Sequence, residues 1–260
     1  MRTEIPLHGG TANRGMVHRV GDTVRRPLRP TSAGTHALLR YLEDVGFDGA
    51  PRVLGIDDVG REVLSYVPGA ALIAPPARWG LTDEALRSVG ELLRRFHEAA
   101  AGFDPTPYRW SHPAPAPFEG PGIAHNDPNL DNVVFRDGRA VALIDFDLAG
   151  PGAPVWDVAA TARLWAPLRS PADVDDMRRG HGVRRTRILA DAYGLDGDDR
   201  IRFVTAVRHS HDWMCEIVRD GAERGVPGFA AYWGPDAAAR ARRTNGWLDD
   251  NAHAITAALL

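Results

Sequence analysis

Between residues 122 and 147 the chain reads Gly-Ile-Ala-His-Asn-Asp-Pro-Asn-Leu-Asp-Asn-Val-Val-Phe-Arg-Asp-Gly-Arg-Ala-Val-Ala-Leu-Ile-Asp-Phe-Asp, which gathers carboxylates, carboxamides and an imidazole at usable spacings. The apolar segments 133–135 and 140–144 flank Asp137-Gly138, a strong signal for a two-residue hairpin turn. With those residues as the turn, Arg136 faces Arg139 and Asn132 faces Leu143. Asp145 then lies two residues further along, on the same face as Asn132 and diagonal to it, where backbones are about 7–8 Å apart. A carboxamide oxygen and a carboxylate aimed at one point suit a magnesium ion, whose remaining ligands are water and phosphate oxygens. Asp127 precedes Pro128, so it belongs to a loop beside that point. A carboxylate so placed orients an incoming hydroxyl or amine and accepts its proton as the bond to phosphorus forms. His125, grouped with Asp127 in this catalytic loop, is expected to hold the loop by hydrogen bonds rather than to transfer protons.

Other elements must hold this hairpin. The first part of the chain reads as short strands around one helix: residues 16–20 and 23–26, then a helix over residues 35–45, then strands over residues 52–56 and 62–67. Pro68-Gly69 breaks the chain, which places a boundary between residues 1–68 and residues 69–260. From Thr82 the pattern turns helical: Thr82 can cap, and Leu86, Val89, Leu92, Leu93 and Phe96 form one stripe. Beyond Pro154 the chain is mostly helical, with breaks near Gly180, Gly194 and Gly225. Asp212, Glu216 and Asp220 share one helix face, either a solvated face or an acidic wall for a cationic ligand. Asp157 is read as an architectural anchor, His97 as a structural histidine and Cys215 as a small packed residue.

Composition narrows the chemistry. At 260 residues, 44% hydrophobic and 25% charged, the chain has the make-up of an ordinary soluble globular protein. A net charge of −3 gives no bulk attraction to nucleic acid or to an anionic membrane. A single cysteine excludes an internal disulfide and a cysteine-rich zinc site. With neither a signal-like start nor a run of membrane-spanning length, the expected address is the cytoplasm. All 31 basic residues are arginines and none is lysine, so a phosphate-gripping lysine is excluded.

The pattern His125-x-Asp127-x4-Asn132, followed by Ile144-Asp145-Phe146-Asp147, resembles the catalytic and metal-binding loops of the aminoglycoside phosphotransferase family. Choline and homoserine kinases and, distantly, protein kinases are its relatives. The resemblance implies an α+β, two-lobed, protein-kinase-like fold: a small N-terminal antiparallel sheet lobe that binds nucleotide, and a larger, mostly helical C-terminal lobe that binds the acceptor. It implies ATP and Mg2+ as cofactors, Asp127 as catalytic base, and Asn132 and Asp145 as metal ligands with Asp147 assisting. Gly9 and Gly10 resemble the phosphate-covering loop, and Ser65, Tyr66 and Val67 would meet adenine through the backbone. The family's lysine falls at Arg25, with Arg26 the weaker match, and its glutamate partner falls at His36. The implied activity is phosphoryl transfer to a hydroxyl or amine of a small molecule, an aminoglycoside-like antibiotic among the candidates. The loss of the lysine–glutamate pair supports an alternative, a catalytically weak kinase-like binding or immunity protein. A protein-serine kinase is disfavoured, because no activation segment is recognisable between Asp145 and Asp157.

Overall fold

The apolar stripe that begins at Leu86 closes onto the segment 123–143 as a helix, α2 (Asp83–Ala100). Thr82 Oγ1 caps it, accepting the Ala85 amide at 3.2 Å, and Asp83 and Glu84 sit at its positive end. Leu86, Val89, Leu92, Leu93 and Phe96 are all buried, each contributing about 1.5–3 kcal/mol of apolar burial relative to exposure. The computed structural model describes residues 3–7 and 15–260. The expected glycine turn, Gly9 and Gly10, lies outside the described residues.

The strands β1 (Glu4–Pro6), β2 (His18–Val20), β3 (Thr23–Pro27), β4 (Val53–Ile56) and β5 (Arg61–Ser65) form one antiparallel sheet in the order β1-β2-β3-β5-β4. Helix α1 (Ser32–Asp44) begins three residues earlier than expected. Its Leu38, Leu39 and Leu42 are buried in the same apolar cluster as α2, so a continuous core joins the sheet region to the helical region. Downstream come β6 (Ile123–Ala124), the hairpin β7 (Val133–Arg136) and β8 (Arg139–Leu143), and β9 (Gly150–Pro151), which pairs with β6. The helices α3 (Pro154–Trp165), α4 (Gly182–Tyr193), α5 (Gly197–Glu223), α6 (Pro227–Tyr232) and α7 (Ala237–Leu259) complete an α+β, two-lobed kinase-like fold. Among the described residues, no helix is long and apolar enough to cross a membrane.

The hairpin turn forms as expected: Asp137 and Gly138 both have positive φ, 51° and 76°, as a type I′ turn requires. Its register is not the expected one. Arg136 pairs with Arg139 and Phe135 with Ala140, but Val134 then pairs with Ala142 and Val133 with Leu143. A bulge at Val141 shifts the ladder by one residue, and the Ile144 amide bonds the Asn132 carbonyl at 2.9 Å. The cause is distant in sequence: Ser88 Oγ on α2 accepts the Ala140 amide at 2.9 Å, within a buried contact.

Past Pro68 the chain runs beside β7, where Ala70 exchanges backbone hydrogen bonds of 2.9 Å with Phe135. Gly69 has a φ of 149°, and a Cβ there would come within 2.4 Å of Val134 Cγ1 and 2.5 Å of the Phe135 carbonyl oxygen. Gly69→Ala is therefore expected to destabilise the protein by about 1–3 kcal/mol, the range for overfilling a packed site. A melting curve reads this directly, and an unchanged midpoint would mean the crossing has slack.

Candidate active site

Three non-glycine residues have positive φ among the described residues, and two of them, Asn126 (68°) and Asp145 (62°), stand at the two ends of the segment that holds Asp127, Asn132 and the hairpin. Such conformations are uncommon and persist only where the surroundings fix them. Asn126 is fixed on every side. Its Nδ2 donates to the His112 and Leu148 carbonyls at 3.2 and 2.7 Å, and its Oδ1 accepts from Trp156 Nε1 at 2.9 Å. Asp157, at the start of α3 and fully buried, accepts the His125 amide at 2.7 Å on one oxygen and the Asn126 amide at 2.9 Å on the other. His97 Nε2 lies 3.1 Å from the same carboxylate, and His97 Nδ1 lies 2.8 Å from the Tyr193 hydroxyl. Burial alone would raise the Asp157 pKa, but the His97 ring and the loop amides reverse this and hold it below the ordinary value. His125 likewise holds the loop. Its Nε2 donates to the Ile144 carbonyl at 3.1 Å, while Nδ1 accepts the Asp127 amide at 3.4 Å, and burial lowers its pKa.

Asp127 accepts two carboxamide donors, Asn129 Nδ2 at 2.5 Å and Asn132 Nδ2 at 3.0 Å. Because Asn132 Nδ2 also donates to the Asp127 carbonyl at 2.9 Å, its Oδ1 is the atom left to meet a cation. Burial, then the charges of Asp145 and Asp131, push the Asp127 pKa well above the ordinary carboxylate value. Burial and Asp147 also raise that of Asp145, against the pull of Arg26. Crowded carboxylates of this kind call for positive charge. The expected same-face geometry for Asn132 and Asp145 is thus replaced. The bulge sets Asn132 opposite Ile144, and the left-handed turn at Asp145 carries its carboxylate into the field of Asp127.

The positive charge comes from β3, but not from Arg25. Cross-strand pairing sets Arg26 opposite Glu62 and Arg25 opposite Val63. Arg26, 6% exposed, spreads its fork over three acids: Nε to Glu62 at 2.6 Å, and its two terminal nitrogens to Asp145 and Asp147, each at 2.8 Å. Burial would lower its pKa, and the carboxylates of Asp147, Asp145 and Glu62 more than reverse that. Arg29 Nε meets the other Asp147 oxygen at 2.7 Å. Arg25 turns to the opposite face and pairs with Asp57 at 3.1 Å. His36 stands on α1 as expected, and its Nε2 lies 2.5 Å from Glu62 Oε2. The acid partner has therefore moved from the helix to β5. Glu62 and Arg29 were not picked out from sequence. Strand alternation held the signal, since Val24 and Arg26 share one face of β3, just as Leu64 and Glu62 share one face of β5.

Ser65 ends β5 and Tyr66 and Val67 follow it; the Tyr66 amide bonds the Asp22 carbonyl at 2.9 Å, and Arg19 stacks 3.7 Å above the Tyr66 ring. Asp212, Glu216 and Asp220 are all exposed on α5, with Asp212 accepting Asn245 Nδ2 at 2.8 Å, which is the arrangement of a solvated face. Surface hollows of about 330 and 740 Å³ lie elsewhere, one between the start of α2 and α4, the other between α2 and the β7–β8 hairpin. Among the described residues, no group of three or more His, Cys, Asp or Glu side chains could hold a metal unaided. Magnesium needs no such cage, because one or two carboxylates and a substrate phosphate suffice.

The phosphotransferase enzyme family matches residues 108–194, which include the loop from His125 to Asn132 and the β7–β8 hairpin. A trifolitoxin immunity protein of Rhizobium leguminosarum bv. trifolii is 36% identical over 212 residues, spanning 78% of this chain and 79% of that protein. A choline/ethanolamine kinase family protein from Mesorhizobium loti superposes with a TM-score of 0.63 at 18% identity, covering 94% of this chain and 88% of its own. The GDP complex of wild-type aminoglycoside 2'-phosphotransferase-IIIa gives 0.60 at 14% identity, with 96% and 93% covered. The streptomycin–ATP ternary complex of APH(2")-IIa gives 0.57 at 15% identity, with 88% and 90% covered. At these identities the solved structures share the fold.

Proposed function

This chain belongs to the aminoglycoside phosphotransferase family, and from that premise we propose that it transfers the γ-phosphoryl group of ATP, with Mg2+, to a hydroxyl or amine of a small molecule. The observation that carries the reading is the meeting of Asp127, Asn132 and Asp145 at one end of the hairpin, with Asp127 aimed by two carboxamides. Residues 1–68 would hold the nucleotide, with the backbone of Ser65, Tyr66 and Val67 against adenine and Gly9-Gly10 over the phosphates. Residues 69–260 would supply the chemistry. Asn132 Oδ1 and the Asp145 carboxylate, with Asp147 beside them, would hold the magnesium ion, which neutralises charge on the phosphate oxygens. Asp127 orients the acceptor and takes its proton while the acceptor–phosphorus bond forms and the bond from the γ-phosphorus to the ADP oxygen breaks.

Calorimetry with a non-hydrolysable ATP analogue should show affinity that rises with magnesium, and Asp145→Ala should lose that dependence. If the variant keeps it, the ion sits elsewhere. Arg26, not Arg25, is the cation facing the phosphates in this reading. Removing it takes the guanidinium from the buried Glu62 and from the half-buried Asp145, while Asp147 keeps Arg29, so Arg26→Ala should lower stability by about 3–5 kcal/mol. Arg25→Ala, on the other face, should shift the melting point much less. Arg26→Lys should fold and bind nucleotide, since an ammonium restores the charge the family uses there.

One observation favours a second reading, a binding or immunity protein without rapid turnover. The Arg26 fork already bonds both Asp145 and Asp147, and the 36% identical relative is an immunity protein by name. Transfer from labelled ATP to any hydroxyl or amine acceptor decides for the enzyme. Nucleotide binding with no transfer across a broad acceptor set decides for the binder.

A further inference from the structure

Two neighbouring arginines, one of them close enough to act on Asp127, form no ion pair among the described residues. Arg163 lies near the end of α3 and Arg169 in the turn that follows, both half-buried. The Nε atom of each is buried without a hydrogen-bond partner. Neither forms an ion pair among the described residues, whereas every other described arginine lacking a carboxylate partner is exposed. The acids close enough to act on them are already engaged. Asp173 is held by Arg243 at 2.7 Å, Asp176 by Arg178 at 2.7 Å, and Asp127 by Asn129 and Asn132.

A buried guanidinium remains charged and is costly to leave unmatched. Burial weakens the hold of both groups on their protons. The side chains that face them from α5 and α6 add no anion. His211 and Cys215 of α5 and Tyr232 of α6 face the two arginines; burial and Arg163 drive the His211 pKa down to about 4, so its ring is neutral at pH 7. Planar guanidinium forks match carboxylates and phosphates better than any other ligand, forming two parallel charge-assisted bonds. The acids that a cationic acceptor would need, Asp212, Glu216 and Asp220, are exposed.

We propose that Arg163 and Arg169 form an oxyanion subsite beside Asp127, so that the acceptor carries a carboxylate or phosphate group in addition to the hydroxyl or amine that is phosphorylated. The part concerning phosphorylation rests on the phosphotransferase reading; the anion subsite does not. A polycationic aminoglycoside would meet like charge here, so the acceptor class differs from that of an aminoglycoside.

Calorimetric titration of malonate and of inorganic phosphate into wild type, Arg163→Gln, Arg169→Gln and the exposed control Arg40→Gln tests the subsite without turnover. At least one anion should bind wild type at millimolar concentration or tighter and raise its melting point. Affinity should fall about tenfold or more in each of the two subsite variants, the scale of a lost charge-assisted bond, and stay unchanged in Arg40→Gln. Stronger binding of malonate assigns a carboxylate acceptor, and stronger binding of phosphate a phosphorylated one. Both glutamine variants should melt no lower than wild type, because each loses an unmatched buried charge, which separates lost binding from lost fold. No binding of either anion, or equal affinity in all four proteins, overturns the subsite. Transfer assays with glycerate and glycerol keep the two readings apart. Anion binding at these arginines without transfer to any acceptor keeps the subsite and removes the phosphotransferase. Transfer to both alike, unaffected by Arg163→Gln, does the reverse.

Discussion

Asp127→Asn is expected to reduce phosphoryl transfer by about 10²–10⁴-fold, the range a positioned general base supplies, while magnesium–nucleotide affinity stays near wild type. The separation follows from geometry. Asp127 bonds Asn129 and Asn132 rather than Arg26, so the charge network that would meet the nucleotide does not include it. Asn132 also keeps a bond to the Asp127 backbone carbonyl in the variant, which preserves the carboxamide that would face the metal. Asp127→Ala should behave in the same way, and agreement between the two variants excludes an effect of the new amide. Near-wild-type turnover in either variant would remove Asp127 from the chemistry and turn attention to its neighbours Asp145 and Asp131.

Asp157→Asn should weaken the whole protein, and the loop most of all. Its two oxygens accept the amides of His125 and Asn126, and one of them also meets His97. An asparagine turns an NH2 toward one of those donors, leaving it buried and unpaired, at a cost of about 1–3 kcal/mol plus the lost charge-assisted bond to His97. A total of about 3 kcal/mol is the expected loss, read from denaturant titration. Its pH dependence has a definite sign. The folded-state pKa lies below the unfolded one, so the carboxylate stabilises fully above the unfolded value and loses that contribution as pH falls through the folded value. The gap between wild type and variant should therefore be widest near neutrality and narrow below about pH 4, the ordinary aspartate value. A constant gap would mean that the charge of Asp157 is not what holds the loop.

The loop and its anchor show where sequence is informative. The turn at Asp137-Gly138 was legible because φ above zero at two successive positions demands such residues. The helix stripe from Leu86 was legible because its period is local. The hairpin register was not, because Ser88 sits far away in sequence and nothing near Val141 announces that the Ala140 amide leaves the ladder. The choice between Arg25 and Arg26 turned on one residue of strand phase, and a slip of one exchanges the two faces. His36 was placed correctly on its helix, yet its acid partner lies across the sheet on β5, a contact that no local pattern encodes. Arg163 and Arg169 left no trace in sequence at all, since what distinguishes them is the lack of a partner.

The three-way fork of Arg26 also bears on how such proteins are counted. Reactive acyl-phosphate nucleotides tag kinases by acylating the amine that lies against the phosphates. If nucleotide binds as proposed, that place is held by a guanidinium, 6% exposed and tied to three acids, in a chain without a single lysine. A guanidinium keeps its proton at any working pH and so lacks the free lone pair that acylation needs. A proteome-wide census built on that labelling chemistry would then pass over this protein even with nucleotide bound, and nucleotide-dependent thermal shift is the survey that would register such binding.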